Sequence, residues 1–336
     1  QGLQLDMVVY SAAIHACSKS GQAEHARGLL QQMRQRGLTP NVICYNAAVS
    51  ACGHANKLEL ALELVSEMKE QDVVPNVISF NAAISACGNA KEFELALELL
   101  QEMRQQELVP SVISYSATIS ACGKAKHIEL ALQLLSEMKQ HGVLPNVICY
   151  NAAITACEKA EDFELALTLL QEMRQDGVIP DVISYNAATS ACEKAGEFEF
   201  ALNLLREMQR WDLVPNVISY DAAISACGKA QRFEIALVLL QEMRQRGLLP
   251  NVITYNAAIT ACEKSHQFEL ALKLLQEMRQ SRVAPDVISY NAAISACEKA
   301  KQADVALDLL QEMCQQGLET DVFSYDAAIS ACEKAA

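Results

Sequence analysis

The sequence predicts an all-α protein, an α-solenoid in which antiparallel helix pairs stack one after another. Three observations predict this fold: one motif recurs every 35 residues, each copy carries two apolar stripes at helical spacing, and a proline separates successive copies. A unit of this length cannot bury its own apolar face, so neighbouring copies must stack to make a core. We therefore expect one elongated solenoid domain over residues 1–336.

The chain contains nine full repeats and part of a tenth. Positions are counted so that proline occupies position 34 of the first eight repeats, while Thr320 stands there in the ninth. The full repeats are then 7–41, 42–76, 77–111, 112–146, 147–181, 182–216, 217–251, 252–286 and 287–321, followed by the partial repeat 322–336. Because proline lacks an amide hydrogen and disfavours helix in the residue before it, each proline marks the end of a repeat.

Each repeat carries two helical patterns. In the fifth repeat, the second segment places apolar residues three to four apart, namely Leu165, Ala166, Leu169, Leu170 and Met173. The first segment is rich in alanine, and small side chains let two helix axes approach closely. Gly177 and Pro180 then close the repeat, as expected for a left-handed helix cap followed by a helix breaker. We expect helices of roughly 12 residues.

The cysteines are predicted to be packing residues. Ten of the 13 occupy position 11: Cys17, Cys52, Cys87, Cys122, Cys157, Cys192, Cys227, Cys262, Cys297 and Cys332. Equivalent atoms of adjacent repeats lie about one helix spacing apart, roughly 8–10 Å, which is too far for a disulfide or for shared zinc ligation. We therefore interpret them as small buried apolar residues, expect a reducing compartment, and predict no metal site and no cofactor.

No residue pattern typical of an enzyme occurs in the chain. The six histidines fall at different repeat positions, and neither a His-Glu-x-x-His motif nor a glycine-rich phosphate loop is present. The sequence contains no run of about 20 apolar residues, so it predicts no membrane span. We expect that the protein has no catalytic activity and no small-molecule substrate. Since the chain starts and stops inside a repeat, we interpret it as a segment of a longer protein.

Two columns are polar in every repeat. Position 5 carries Ser11, Asn46, Asn81, Ser116, Asn151, Asn186, Asp221, Asn256 and Asn291, with Asp326 in the partial copy. Position 35 carries Asn41, Asn76, Ser111, Asn146, Asp181, Asn216, Asn251, Asp286 and Asp321. Small hydrogen-bonding side chains at a fixed register are typical of a surface that reads a ligand. Helix capping would permit the same residues at position 35, and a network between adjacent repeats would permit them at position 5.

The repeat resembles the pentatricopeptide repeat. The resemblance rests on the 35-residue period, Tyr at position 4, a polar residue at 5, Lys at 13, Glu-Met late in the second helix and Pro-Asn or Pro-Asp at 34 and 35, and it covers residues 7–336. It implies a right-handed superhelix of helix pairs that binds single-stranded RNA, one base per repeat. It also implies action in a mitochondrion or plastid, in RNA processing, stabilisation, editing or translation, with protein effectors as further partners.

The resemblance implies that positions 5 and 35 read the base. Uracil presents a donor at N3 and cytosine an acceptor, whereas Asp only accepts and Asn does either. With the family's pairing rules, Asn-Asp implies uracil, Asn-Asn cytosine or uracil, Asn-Ser cytosine and Ser-Asn adenine. Asp221 with Asn251 departs from the usual pairs. The target predicted from its 5′ end is A, pyrimidine, C, A, U, pyrimidine, any base, U, U.

Positions 2 and 13 complete the predicted site. In the family, position 2 sandwiches the base; here it carries Val8, Ile43, Ile78, Ile113, Ile148, Ile183, Ile218, Ile253, Ile288 and Phe323. Position 13 carries Lys19, Lys124, Lys159, Lys194, Lys229, Lys264, Lys299 and Lys334, a row of charge suited to phosphates. Core burial would also account for position 2, and solvated surface lysines for position 13.

The net charge argues against a nucleic-acid ligand. The formal charge is −14, whereas a nucleic-acid binder usually has a basic excess. Much of the acid falls in the second helices, so a locally positive surface on the first helices is compatible with it. We expect modest, salt-sensitive affinity for single-stranded RNA. The alternative is a helical-repeat scaffold for protein–protein interaction.

Overall fold

The structure is a computed structural model, and it describes residues 6–335. Over these residues it contains 19 α-helices and no strand, which confirms the all-α class. The helices are α1 (Met7–Ser20), α2 (Ala23–Gln35), α3 (Val42–His54), α4 (Leu58–Glu70), α5 (Val77–Ala90), α6 (Phe93–Gln105), α7 (Val112–Lys124), α8 (Ile128–Gln140), α9 (Val147–Ala160), α10 (Phe163–Gln175), α11 (Val182–Ala195), α12 (Phe198–Arg210), α13 (Val217–Lys229), α14 (Phe233–Gln245), α15 (Val252–Lys264), α16 (Phe268–Gln280), α17 (Val287–Lys299), α18 (Ala303–Gln315) and α19 (Val322–Ala335).

Each repeat is a helical hairpin. Odd-numbered helices are the first helices of the repeats and even-numbered helices are the second, and a turn of two or three residues joins them. A connection this short makes the two helices antiparallel neighbours. The helices have 13 or 14 residues, close to the length expected from the periodicity.

The first helices begin at side-chain caps. Asn216, at position 35, accepts a hydrogen bond from the Ser219 N–H, and the Ser219 hydroxyl accepts one from the Asn216 N–H, both over 3.1 Å. This reciprocal capping box satisfies two amide groups that the helix itself cannot. The same box occurs at Asn76, Ser111, Asp181, Asn251 and Asp286.

The connections on both sides of a second helix use left-handed backbone. Positive φ occurs at position 15, between the two helices, in Gly21, Asn56, Lys91, Lys126, Glu161, Gly196, Gln231, His266 and Lys301. It occurs again at position 31, after the second helix, in Gly37, Asp72, Glu107, Gly142, Gly177, Asp212, Gly247, Arg282 and Gly317. Glycine adopts this conformation without strain, whereas other residues meet a steric cost. Where the residue is not glycine, the backbone conformation that the repeat requires therefore outweighs the conformational preference of that residue.

The helices fall into two compact units. One contains residues up to Ala160 together with Gln171–Ile179, and the other contains Glu161–Leu170 together with residues from Pro180 onward. Within the first unit α3 packs between α1 and α5, and within the second α15 packs between α13 and α17. The core of each unit consists mainly of Ala, Cys, Tyr and Ile from first helices and of Leu, Met and Ala from second helices. Stacked helix pairs are thereby confirmed, while a single domain over the whole chain stays a prediction.

Tyrosine at position 4 joins adjacent repeats. The Tyr115 hydroxyl donates to Glu137 Oε1 over 3.0 Å and accepts from the Arg104 guanidinium, which belongs to the preceding repeat, over 3.3 Å. Burial, reinforced by the bond to Glu137, raises the pKa of Tyr115, so the phenol stays protonated as a donor. Tyr290 makes the same two contacts in the second unit. Exposed ion pairs contribute only about 0–1 kcal/mol each, so the buried ring is the larger part of this contact.

Nine of the ten position-11 cysteines are buried in the core, and Cys332, in the partial repeat, is half-buried. Cys87, Cys122 and Cys227 are fully buried, and burial raises the pKa of each of these thiols to about 11. Across residues 6–335, no group of three or more His, Cys, Asp or Glu side chains is arranged to hold a metal ion. Within the same residues, no helix combines the length and the apolar character needed to cross a membrane.

Two glycines of the first repeat test the backbone argument. Gly28 lies inside α2, where an added Cβ would meet nothing within 4 Å, while Gly37 has φ +72°. We expect Gly28→Ala to raise the free energy of unfolding by about 0.5–1 kcal/mol, because alanine favours helix. We expect Gly37→Ala to lower it by about 1–2 kcal/mol, because the left-handed region is costly for a residue with a Cβ. Denaturant unfolding measures both, and equal effects would contradict the assignment.

Candidate functional site

The position-2 side chains are exposed. The eight isoleucines of this column are 58–64% exposed, and Val8 and Phe323 at its two ends are 73% and 55% exposed. Each is the second residue of a first helix and so lies in its first turn. Core burial, the alternative that the sequence left open, therefore does not describe them. A row of exposed aliphatic side chains at a 35-residue period is available to a ligand.

In the second unit, three of the predicted columns converge on one recess. It has a volume of about 320 Å³, and its lining includes Ile253 and Ile288 from position 2, Asn256 from position 5, and Lys229 and Lys264 from position 13. Apolar side chains with a few polar groups among them are typical of a small-molecule or base-sized binding site. The stacking of α13, α15 and α17 brings these residues together, although they are up to 59 positions apart in the chain.

Positions 5 and 35 form a hydrogen-bonded pair at the repeat boundary. Asn256 Nδ2 donates to Asp286 Oδ1 over 3.0 Å, and the Ser289 N–H donates to the same oxygen over 2.9 Å. The Ser289 hydroxyl donates to Asn256 Oδ1 over 2.5 Å. Equivalent bonds join Asn46, Asn76 and Ser79, and also Asn186, Asn216 and Ser219. Position 35 is therefore a helix cap and position 5 is part of a network between repeats, as both alternatives from the sequence suggested.

The two members of the pair differ in exposure. In four repeats the position-5 residue is buried, since Asn46, Ser116, Asn186 and Asn256 are 8–9% exposed, whereas the position-35 partner is half-buried or exposed. Position 35 is the more accessible member of the pair in these repeats. In the other full repeats the position-5 residue is half-buried as well.

Capping fixes which atom of position 35 remains available. Asn216 Oδ1 accepts from the Ser219 N–H, so the amide cannot be flipped without placing its NH₂ against another donor. Within residues 6–335, no group bonds to the Nδ2 of Asn76 or Asn216, or to Oδ2 of Asp286. The remaining atom is therefore a donor in Asn76 and Asn216 and an acceptor in Asp286. This difference is the one needed to distinguish two pyrimidines.

The seventh repeat departs from this arrangement. Asn251 Nδ2 donates to Asp221 Oδ2 over 2.9 Å, and the Thr254 hydroxyl donates to Asp221 Oδ1. Both carboxylate oxygens of Asp221 are therefore engaged. Burial raises the pKa of Asp221, and the two hydrogen bonds oppose that rise. The structure thus gives a reason why this pair differs chemically from Asn46 with Asn76 and from Asn186 with Asn216.

Position 3 of the following repeat belongs to the same network, and the sequence interpretation missed it. Where position 5 is Asn or Asp, the next position 3 is always Ser or Thr; where position 5 is Ser11 or Ser116, it is Cys44 or Cys149. The hydroxyl donates to the Asn or Asp oxygen, while Ser116 Oγ donates instead to the Ile113 carbonyl over 3.1 Å. Comparing column 3 with the preceding column 5 would have revealed the coupling.

The position-13 lysines are not equivalent. Lys229, Lys299 and Lys334 form ion pairs with glutamates of the preceding repeat, at 2.7, 2.5 and 2.7 Å. By contrast, the Lys124 ammonium donates to the Gly88 carbonyl over 3.0 Å. The predicted row of charge is therefore interrupted by acids that the sequence interpretation did not assign to this surface.

Family models match nearly the whole chain. A model of the pentatricopeptide repeat domain matches residues 1–55, 84–125, 98–160, 133–194, 168–230 and 237–300. A model of the PPR repeat family matches residues 40–89 and 285–334, and a PPR repeat model matches 218–248. A comparison with curated proteins gives no match.

Solved structures share the fold. The pentatricopeptide repeat protein PPR10 in complex with an 18-nt psaJ RNA element is 24% identical to the chain, with a TM-score of 0.82; the match covers 97% of this chain and 48% of that one. PPR10 from maize is 26% identical, with a TM-score of 0.60 and coverage of 98% and 52%. The chain therefore spans about half the length of the proteins it resembles.

The coupling between positions 5 and 3 can be measured. We expect Ser219→Cys to lower the free energy of unfolding by about 1–3 kcal/mol, because Asn186 Oδ1 is buried and loses its donor. Adding Asn186→Ser recreates the Ser-Cys combination that occurs naturally at Ser116 and Cys149, and should recover part of the loss. A double-mutant cycle by denaturant unfolding gives the coupling energy, and strict additivity would show that the residues act independently.

Proposed function

Because the chain belongs to the pentatricopeptide repeat family, we propose that its repeats bind single-stranded RNA in a sequence-specific manner, with one base per repeat. The observation that carries this proposal is the recess in the second unit between Ile253 and Ile288. Two exposed aliphatic side chains flank a gap, and the capped Asn256–Asp286 pair presents an acceptor that the cap does not use. PPR10, whose fold this chain shares, was crystallised with an RNA element.

A base would make two kinds of contact here: apolar contact through its faces and hydrogen bonds through its Watson–Crick edge. Apolar contact on either face of a base tolerates any sequence, so position 2 contributes affinity and not discrimination. The remaining atom of position 35 contributes discrimination, because a donor and an acceptor prefer different Watson–Crick edges. Its orientation is set before RNA arrives, since the helix cap already holds the side chain. Preorganisation of this kind lowers the cost of ordering the site on binding.

We propose no reaction for this segment. Its role is that of an adaptor that places a bound RNA for processing, stabilisation, editing or translation, with any chemistry supplied by other domains or partner proteins. An organellar setting, mitochondrial or plastid, follows only from the family resemblance. The formal charge of −14 leads us to expect modest affinity, and the phosphate contacts make that affinity sensitive to salt.

A second candidate function is a protein–protein scaffold. One observation favours it: the residue before each repeat-ending proline is a highly exposed aliphatic side chain in many repeats. Val74, Val109, Leu144, Ile179, Val214 and Leu249 are 75–83% exposed. These residues belong to the connections between repeats, two positions before the residue at position 35. A scaffold that binds protein through them would bind RNA weakly and without sequence preference.

Base discrimination is tested at the eighth repeat. We expect wild-type protein to prefer the nonamer 5′-ACCAUCAUU-3′ over its scrambled version, and Asp286→Asn to shift the preference at the eighth base from U towards C. The physical reason is that the substitution replaces an acceptor with a donor while Oδ1 keeps the cap. Fluorescence anisotropy titrations with U and C at this base measure the change.

A charge-matched control is available for that experiment. Asp308→Asn removes the same charge from an exposed position on α18, outside the recess, and should leave the U-to-C ratio as it is in the wild type. Equal weak binding of all RNAs by the wild type would favour the scaffold function. A shift of similar size in Asp308→Asn would refute base reading by Asp286.

Position 2 is tested by removing one apolar wall. We expect Ile253→Ser to weaken binding of the nonamer several-fold with little change at any one base, because it removes a contact that tolerates any sequence. Stability should change by no more than about 0.5 kcal/mol, since Ile253 is 64% exposed. The matched variant Val238→Ser, at a 62% exposed position on the second helix α14, should keep wild-type affinity. Equal losses in the two variants would contradict a role for position 2.

A further inference from the structure

Position 12, directly before the lysine column, is glycine or glutamate in every repeat but the first. Glycine occupies it in Gly53, Gly88, Gly123 and Gly228, glutamate in Glu158, Glu193, Glu263, Glu298 and Glu333, and serine in Ser18. The residue lies in the last turn of each first helix and faces the following repeat. Glycine is a poor helix former, so its recurrence inside a helix indicates a packing or functional reason.

Where position 12 is glutamate, its carboxylate occupies the surface of the next repeat. Glu263 Oε1 lies 2.5 Å from Lys299 Nζ and accepts from the Ser295 hydroxyl over 3.0 Å. Its side chain is only 13% exposed. Glu193 and Glu298 repeat the arrangement with the Lys and Ser at positions 13 and 9 of the next repeat. A charge-assisted contact with little exposure neutralises the lysine in place.

Where position 12 is glycine, it places no carboxylate beside the lysine of the next repeat. Gly228 and Lys264 both line the recess between Ile253 and Ile288, and within residues 6–335 no acid pairs with Lys264. An added Cβ on Gly228 would meet the Ala257 carbonyl oxygen at 3.0 Å, so the two helices approach more closely here than a side chain readily allows. The ammonium of Lys264 therefore borders the recess with its charge uncompensated.

The first unit contains two adjacent lysines of this kind. For Lys124, position 12 of the preceding repeat is Gly88, and for Lys159 it is Gly123. The polar contacts of Lys124 are the Gly88 carbonyl oxygen and the Asn89 side-chain oxygen, both neutral. Burial, and after it the charge of Lys159, lowers the pKa of Lys124. Two uncompensated ammonium groups within each other's field are stabilised by an anion placed between them.

We propose that position 12 decides which repeats contact the RNA backbone. When position 12 is glycine, the lysine at position 13 of the next repeat is available to bind a phosphate. When it is glutamate, that lysine forms an ion pair with the glutamate and is not available. Phosphate contacts then come from Lys124, Lys159 and Lys264, and not from Lys229, Lys299 or Lys334. The proposal rests on RNA binding as proposed above, and it concerns affinity and not the base sequence. It also provides a place for positive charge within a chain whose formal charge is −14.

Salt dependence distinguishes the two classes of lysine. For single-stranded nucleic acid, the slope of log K against log salt is about −0.7 per neutralised phosphate. We expect Lys264→Ala to make the slope about 0.7 less steep with the predicted nonamer, and Lys299→Ala to change it little. Over a fourfold rise in salt, the loss of one such contact changes the ratio of variant to wild-type affinity by about 2.6-fold. Lys273→Ala, at an exposed lysine on α16, is the control for loss of net charge.

The reverse change should create a contact. Glu263→Gln keeps the size of the side chain and removes its charge, so Lys299 becomes available; we expect affinity at low salt to rise and the slope to steepen by about 0.7. In the opposite direction, Gly88→Glu places an acid beside Lys124, at a position where an added Cβ meets its nearest neighbour at 3.4 Å. We expect it to make the slope less steep.

The outcomes separate this inference from the proposed function. If the wild type binds the nonamer no better than its scrambled version and without salt dependence, RNA binding itself fails. If binding is specific but Lys264→Ala and Lys299→Ala give equal slopes, or Glu263→Gln leaves the slope unchanged, the role of position 12 is overturned. Circular dichroism of each variant shows whether the helices are retained, so that a folding defect is not mistaken for lost contact.

Discussion

The hydrogen bonds that the position-35 side chain accepts at the start of the next first helix are the contact on which the rest of each repeat depends. They satisfy amide groups that the helix leaves unpaired, and they set where the helix begins. The same oxygen receives the position-5 amide from the preceding first helix, so helix initiation and repeat stacking share one acceptor. A change there would affect local structure and packing together.

This sharing has a consequence for recognition. A side chain that served only as a cap could rotate or be replaced by any small polar residue, and a side chain that served only to read a ligand would be free to move. Here Oδ1 of the amide or carboxylate is bonded within the protein. The chemical difference between Asn216 and Asp286 therefore lies in the other terminal atom, which is Nδ2 in Asn216 and Oδ2 in Asp286. Position 3 contributes by holding position 5, which explains why Ser or Thr accompanies Asn or Asp there.

The charge available to a ligand depends on which lysines are paired with glutamates in each repeat, and not on the total charge of the chain. The acidic composition would suggest a surface that repels phosphates, yet the carboxylates of Glu193 and Glu263 are paired with lysines, while Lys264 faces an open recess. Pairs held in place with little exposure are screened less by salt than exposed charges. The distribution of uncompensated charge is therefore a property of neighbouring repeats.

The sequence by itself determined the all-α class, the arrangement in helix pairs and the burial of most position-11 cysteines, because these follow from periodicity and from proline, which act within one repeat. It also identified positions 2, 5, 13 and 35. Only the tertiary structure decided that Ile253 is exposed, that Asn256 and Asp286 bond to each other, and that Glu263 neutralises Lys299. The physical reason is that each of these facts depends on the distance between residues of different repeats, which stacking sets and a pattern within one repeat does not contain.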